Sequence, residues 1–115
     1  MSSQASEVFL QQMYELIRRG HRHFVRRDRS GKNSIQQLAD LGLTGFDEAW
    51  DCILTLNKSH YFSGPEYDHL DTSRSEGRVV WVFKIEINGI MAYIKLKEDK
   101  FGPRCKCMAF HEDEP

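Results

Sequence analysis

Hydrophobic positions along the chain follow two periods, helical in its first half and alternating in its last third. Phe9, Met13, Leu16 and Ile17 fall near one stripe and predict an amphipathic helix over 6–19. Gly20 is placed to end it, and the two arginines before it suit a helix C-terminus. In HRHFVRRDRSGK the periodicity is weaker, and Phe24 with Val25 predict a short strand whose polar side is basic. SIQQLADLGL reads as a second helix, capped by Asn33 or Ser34, with Ile35, Leu38 and Leu41 as its apolar face. A third, TGFDEAWDCILTLN, starts from Thr44 with Asp47 at the acidic position of a capping box, and buries Phe46, Trp50, Ile53 and Leu54.

HYFSGPEYDHLDTSRSEGR, rich in Gly, Pro, Ser and Asp, predicts a long loop. Three alternating runs follow: VVWVFKIEI, MAYIKLKE and RCKCMAFHE. Asn88-Gly89 between the first two is a strong hairpin signal. Helices first and strands last predict a single α+β domain over residues 1–115. Its N-terminal helices should pack on a mostly antiparallel twisted sheet that ends in a three-strand meander. Trp50, Trp81 and Phe83 are expected in the core.

Composition narrows the class. With 40% hydrophobic and 29% charged residues the chain is an ordinary globular one. No run approaches the ~18 apolar residues of a membrane span. The opening MSSQASEVFLQQ lacks a signal-peptide layout, so a cytoplasmic protein without membrane partners is expected. Three cysteines at these spacings, Cys52, Cys105 and Cys107, suggest no disulfide framework. Net charge is −1, but it is segregated: Arg18–Lys32 holds six arginines and one lysine against Asp28 alone. Acids gather at Glu66, Asp68 and Asp71 and in HEDEP. Such segregation creates a local positive field on a nearly neutral protein.

Phosphate-cradling glycine loops, dinucleotide fingerprints, HExxH and CxxC are all absent. Strand alternation would place Cys105, Cys107 and His111 on one face, with Ala109 between them. That set would bind zinc if His21 or His23 added a fourth ligand. The commoner reading is small residues packed beneath a helix, since free cysteine is usually buried. Lys84 and Glu86 share a face with Val80 and Val82, opposite Trp81, Phe83 and Ile85, while Tyr93, Lys95 and Lys97 line one face of the next strand. Lysines there often only keep a sheet soluble. They are also the parts of a metal-free RNA-cleaving site, with a histidine as acid or base and cations to hold charge on phosphorus.

In order along the chain, VRRDRS…QQLADLGLTGFDEAWDCILTL, HYFSGPE, VWVF, AYIKLKE and CMAFHE carry a family likeness. Over roughly residues 8–112 the chain resembles the MqsR-like (motility quorum-sensing regulator) toxins of type II toxin–antitoxin systems, in the RelE-type ribonuclease superfamily. The resemblance implies a RelE-like fold and metal-independent cleavage of mRNA, with no cofactor and no metal. It also implies neutralisation by a cognate antitoxin protein. Tyr93, Lys95 and His111 fall at catalytic positions, Tyr61 at an aromatic RNA-binding position, and Arg26, Arg27 and Arg29 on a basic strand. Lys84 and Lys97 join them as RNA contacts. Phe62 and Ser63 stand where many members carry a lysine, and Val82 where some carry a glutamine. Two other classes stay open: a binding module of the same fold without catalysis, and a zinc-stabilised structural protein. Assembly is open too, a homodimer included.

Overall fold

A computed structural model of the chain describes residues 2–67, 79–99 and 102–114. Helix α1 (Ser2–Arg18) buries Phe9, Leu10, Met13 and Ile17 along one stripe. It stops at Gly20, whose φ of 81° allows the Gly20 and His21 amides to return to Ile17 and Leu16. Strand β1 (Arg22–Phe24) follows, as Phe24 predicts. Helix α2 (Ser34–Ala39) is capped by Asn33 in a reciprocal box with Gln36. It is shorter than SIQQLADLGL implies, because the Gly42 and Leu43 amides turn back to Ala39 and Leu38. Helix α3 (Phe46–Ile53) starts after Gly45, and Glu48, not Asp47, accepts from the Thr44 amide and hydroxyl.

Among the described residues the sheet has five strands, β1 with β2 (Tyr61–Tyr67), β3 (Val79–Ile87), β4 (Ile90–Asp99) and β5 (Arg104–Glu112), in the order β1-β5-β4-β3-β2. Strands β3, β4 and β5 form the expected antiparallel meander. Asn88 and Gly89 both take positive φ, as the tight hairpin turn requires. Strand β1 pairs parallel to β5, so the sheet is mixed. The expected loop from His60 is in part strand: β2 (Tyr61–Tyr67) pairs antiparallel to β3 at the sheet edge. Two register irregularities accommodate its Ser-Gly-Pro sequence, which hides the strand from any alternation test. Gly64 lies at φ 115°, and a Cβ there would stand 2.7 Å from the Val80 carbonyl oxygen. Asp68 and Asp71 lie outside the described residues.

One sheet face carries the core. Trp81, Phe83, Ile87, Ala92, Ile94, Leu96, Cys105, Cys107 and Phe110 are buried together with residues of all three helices. Phe9 of α1 stacks on Trp81 with ring centres 5.3 Å apart. Trp50, Trp81 and Phe83 are core residues, as expected. Among the described residues no helix is long and apolar enough to cross a membrane.

The decisive irregularity is in β5. Leu96 pairs with Cys107 and Lys95 with Ala109, which leaves Met108 unpaired between them as a β-bulge. Cys105 and Cys107 therefore face the helices, as does Phe110, while Ala109 and His111 face the other side. This corrects the expectation that Cys105, Cys107 and His111 share a face.

Two outcomes are expected. Trp81→Ala should lose ~3–5 kcal/mol in denaturant unfolding, the usual cost of emptying a large aromatic site. Deleting Met108 restores plain alternation with the same residues inward, so that chain should fold with Tyr93 still opposite His111, losing ~2–5 kcal/mol for the missing buried side chain. A deletion variant whose NMR spectrum shows no Tyr93–His111 contact would contradict the bulge assignment.

Candidate functional site

The face turned away from the helices carries a row of three side chains on adjacent strands. Lys84 on β3 is opposite Tyr93 on β4, and Tyr93 is opposite His111 on β5. The Tyr93 and His111 rings are stacked, 5.0 Å apart and within 11° of parallel. One pair further along, Lys95 lies between Val82 and Ala109. The sheet thus brings Lys84, Tyr93, Lys95 and His111 together, as alternation and the meander predict for the first three. His111 reaches them only through the bulge at Met108.

Among the described residues the imidazole has one hydrogen-bond partner. Its Nδ1 lies 2.8 Å from the Glu112 carbonyl oxygen. A carbonyl only accepts, so Nδ1 holds the proton in the neutral ring and Nε2 is left with its lone pair. His111 is 9% exposed and opens onto a pocket of about 180 Å³ whose lining includes Phe24, Arg27, Asp28, Arg29, Phe110 and His111 itself.

The far wall of that pocket is the basic segment after β1. Val25 donates its amide to the Cys107 carbonyl, which carries the segment alongside β5. Arg29 and Lys32 then exchange backbone hydrogen bonds of 2.8 and 2.9 Å across a turn in which Ser30 and Gly31 take positive φ. Two polar residues of α2 fasten it. Gln37 Nε2 donates to the Arg27 and Lys32 carbonyls at 2.7 and 2.9 Å, and Ser34 Oγ accepts from the Arg27 amide at 3.1 Å. Both are buried. Sequence reasoning missed Ser34 and Gln37 as positioning groups. The available signal is that Gln37 sits beside Leu38 toward the core, where an apolar residue is the ordinary choice.

The arginines divide by direction. Arg27 and Arg29 line the pocket. Arg26 lies over the Phe46 ring at 4.8 Å, on the α3 side, and so does not join the site. Tyr61 is also placed elsewhere: it sits edge-on to Trp81 at 6.1 Å, with its hydroxyl donating to the Gly64 carbonyl at 2.7 Å, and thus fastens the β2 turn. Lys97 is on the open face but only 3% exposed, so it is not presented to a ligand in solution. Of the residues expected to contact RNA, Arg26 and Tyr61 thus rest against rings of the fold, and Lys97 is buried.

Carboxylates temper the charge. Lys84 Nζ is 3.0 Å from Asp113 Oδ2 and 3.7 Å from the centre of the Phe62 ring. Arg29 Nη2 is 3.3 Å from Glu114 Oε2. Burial pushes the Tyr93 phenol up, aided by the Glu66 carboxylate and opposed by Lys84 and Arg29, so the group is a neutral hydrogen-bond donor at physiological pH. The Cys105 and Cys107 thiols are pushed up by burial, which leaves them unreactive core residues. Among the described residues no group of three or more His, Cys, Asp and Glu side chains is arranged to hold a metal ion. Comparison with family models, curated proteins and solved structures finds no match to the chain.

The raised Tyr93 value sets a pH dependence. Its proton is bound more tightly in the folded chain, so the stability it contributes is full below the unfolded tyrosine range and is lost as pH rises through the folded value. Phenolate absorbance should show a component titrating above free tyrosine that shrinks in Tyr93→Phe to the part due to Tyr14, whose phenol burial also pushes up. If the variant instead loses a component titrating at the ordinary value, Tyr93 is not in this environment.

Proposed function

We propose that the chain is a metal-independent endoribonuclease of the toxin type, cleaving single-stranded mRNA on the open sheet face. The observation that carries the reading is the stacked Tyr93–His111 pair, set between Lys84 and the pocket walled by Arg27 and Arg29. A histidine with a free Nε2, a neutral phenol and several cations is the inventory that ribose-assisted cleavage uses.

In this reading His111 Nε2 takes the proton of a ribose 2′-hydroxyl. The 2′ oxygen bonds to phosphorus, the bond to the 5′ oxygen breaks, and that oxygen regains a proton from water. The products are a 2′,3′-cyclic phosphate and a 5′-hydroxyl. Tyr93 donates a hydrogen bond to a non-bridging phosphate oxygen. Lys95 and Arg29 stabilise the added negative charge on the pentacoordinate phosphate. The turn after Tyr61 has no lysine, yet Lys84 places a cation directly over Phe62 and supplies charge at that point.

A protein antitoxin fits the same face. Phe62 and Met91 are 56% and 45% exposed there, flanking Lys84 and Tyr93, and give a protein partner an apolar foothold beside the cations. The RelE-like fold is part of this proposal, supported by the helices packed on one side of the sheet and the meander that carries the site.

Purified protein incubated with single-stranded RNA should cleave it equally with and without EDTA. His111→Ala should reduce the rate by ~100-fold or more, in the range that general acid–base groups contribute. Tyr93→Phe should reduce the rate with unchanged folding. RNA left intact at every pH tested, with or without divalent metal, would sink the nuclease reading. Affinity for RNA without cleavage would make the protein a binding module instead.

A further inference from the structure

Two consecutive acidic residues occupy the two cations that flank the site. Asp113 takes Lys84 on one side, and Glu114 takes Arg29 on the other. These cations belong to different elements, β3 and the turn after β1, with the Tyr93–His111 stack next to both. Asp113 is held in place by its backbone, whose amide donates to the Met91 carbonyl at 2.8 Å and so continues the β4–β5 register past Glu112. Glu114, the next residue, reaches Arg29, so one short stretch contacts cations on both sides of the stack.

The ion pairs differ in exposure. The Lys84 and Asp113 side chains are 25% and 23% exposed, whereas those of Arg29 and Glu114 are 43% and 58% exposed. Pairs this open are weak, because water screens both partners. They are strong enough to fix the cations when no ligand is present, yet weak enough to yield to a phosphodiester. Phosphate oxygens form equally short charge-assisted bonds with lysine and arginine, and a polyanion adds counterion release.

From this geometry we infer that Asp113 and Glu114 are internal anions standing at the two phosphate positions of the site, and that RNA enters by replacing their carboxylates at Lys84 and Arg29. The inference rests on the RNA reading of this face and adds to it. It assigns two phosphate contacts, one on each side of His111, and makes the acidic stretch a competitor of the substrate. A polyanion that cannot displace both carboxylates is held at one cation only, so the stretch discriminates by affinity.

The test compares Asp113→Asn/Glu114→Gln with a control of equal charge change, Glu7→Gln/Asp51→Asn on α1 and α3. The probes are inorganic phosphate, followed by NMR shifts of the Tyr93 ring, and a short 2′-O-methyl RNA that binds but cannot be cleaved. The acidic-stretch variant should bind the RNA roughly fivefold more tightly, what two part-exposed ion pairs amount to, and phosphate, which replaces one carboxylate at a time, roughly twofold. The control should change by less than about twofold, because charges beyond a screening length are largely damped at physiological salt. Equal gains in both variants, or no gain for phosphate, would overturn the inference. If phosphate affinity rises while neither protein binds the oligonucleotide, the internal-anion assignment stands and the RNA reading falls. Should the double variant fail to fold, Asp113→Asn alone carries the test at the Lys84 position, with a roughly twofold gain expected.

Discussion

An extra residue in one strand governs this molecule. The chain from Arg104 to Glu112 must satisfy a hydrophobic core at both ends, with Cys105 and Cys107 first and Phe110 later. The two sets differ by an odd number of positions, so strict alternation can bury only one of them. Leaving Met108 out of the pairing resolves the conflict. As a consequence His111 turns away from the core and meets Tyr93, while the cysteines are sealed among apolar side chains. Core packing therefore fixes where the imidazole goes. The local bend and extra twist of a bulge also suit the rim of a sheet beside a site.

A second constraint acts on the basic segment. An arginine-rich stretch without helix or strand periodicity would ordinarily wander over the surface. Here Gln37 and Ser34, both withdrawn from solvent, bind its backbone at Arg27 and Lys32. A buried amide left without such partners would cost ~1–3 kcal/mol, so the contacts are firmly kept. The strand direction of β1 then sorts the side chains. Arg22 and Arg26 lie over Trp50 and Phe46 near α3, and Arg27 and Arg29 line the pocket beside His111. A single run of positive charge becomes two separate surfaces.

Electrostatically the site is balanced more than it is positive. Lys84 and Arg29 have carboxylate partners, and Glu66 acts on Tyr93 from β2. Net charge and even local charge density misjudge such a place, because Lys84 and Arg29 each stand next to an acid brought from elsewhere in the sequence. The phenol between them stays protonated, which suits it to donating a hydrogen bond rather than taking a proton.

Much was legible from residue order alone. The alternating runs gave β3, β4 and β5, and Asn88-Gly89 gave their first turn, since period and turn chemistry are local properties. The helices were legible too, apart from ends decided by backbone returns at Gly42 and by Glu48 at α3. The common face of Lys84, Tyr93 and Lys95 followed from period two. Four features depended on tertiary structure: the β2 strand hidden in Ser-Gly-Pro, the parallel pairing of β1, the turning of Arg26 and Tyr61 toward other rings, and the side of the sheet that His111 takes. Each is set by contacts between segments far apart in the chain. His111 is the clearest case. Its neighbours in sequence assign it to the face of the cysteines, and only the competition of Cys107 and Phe110 for one core moves it beside Tyr93.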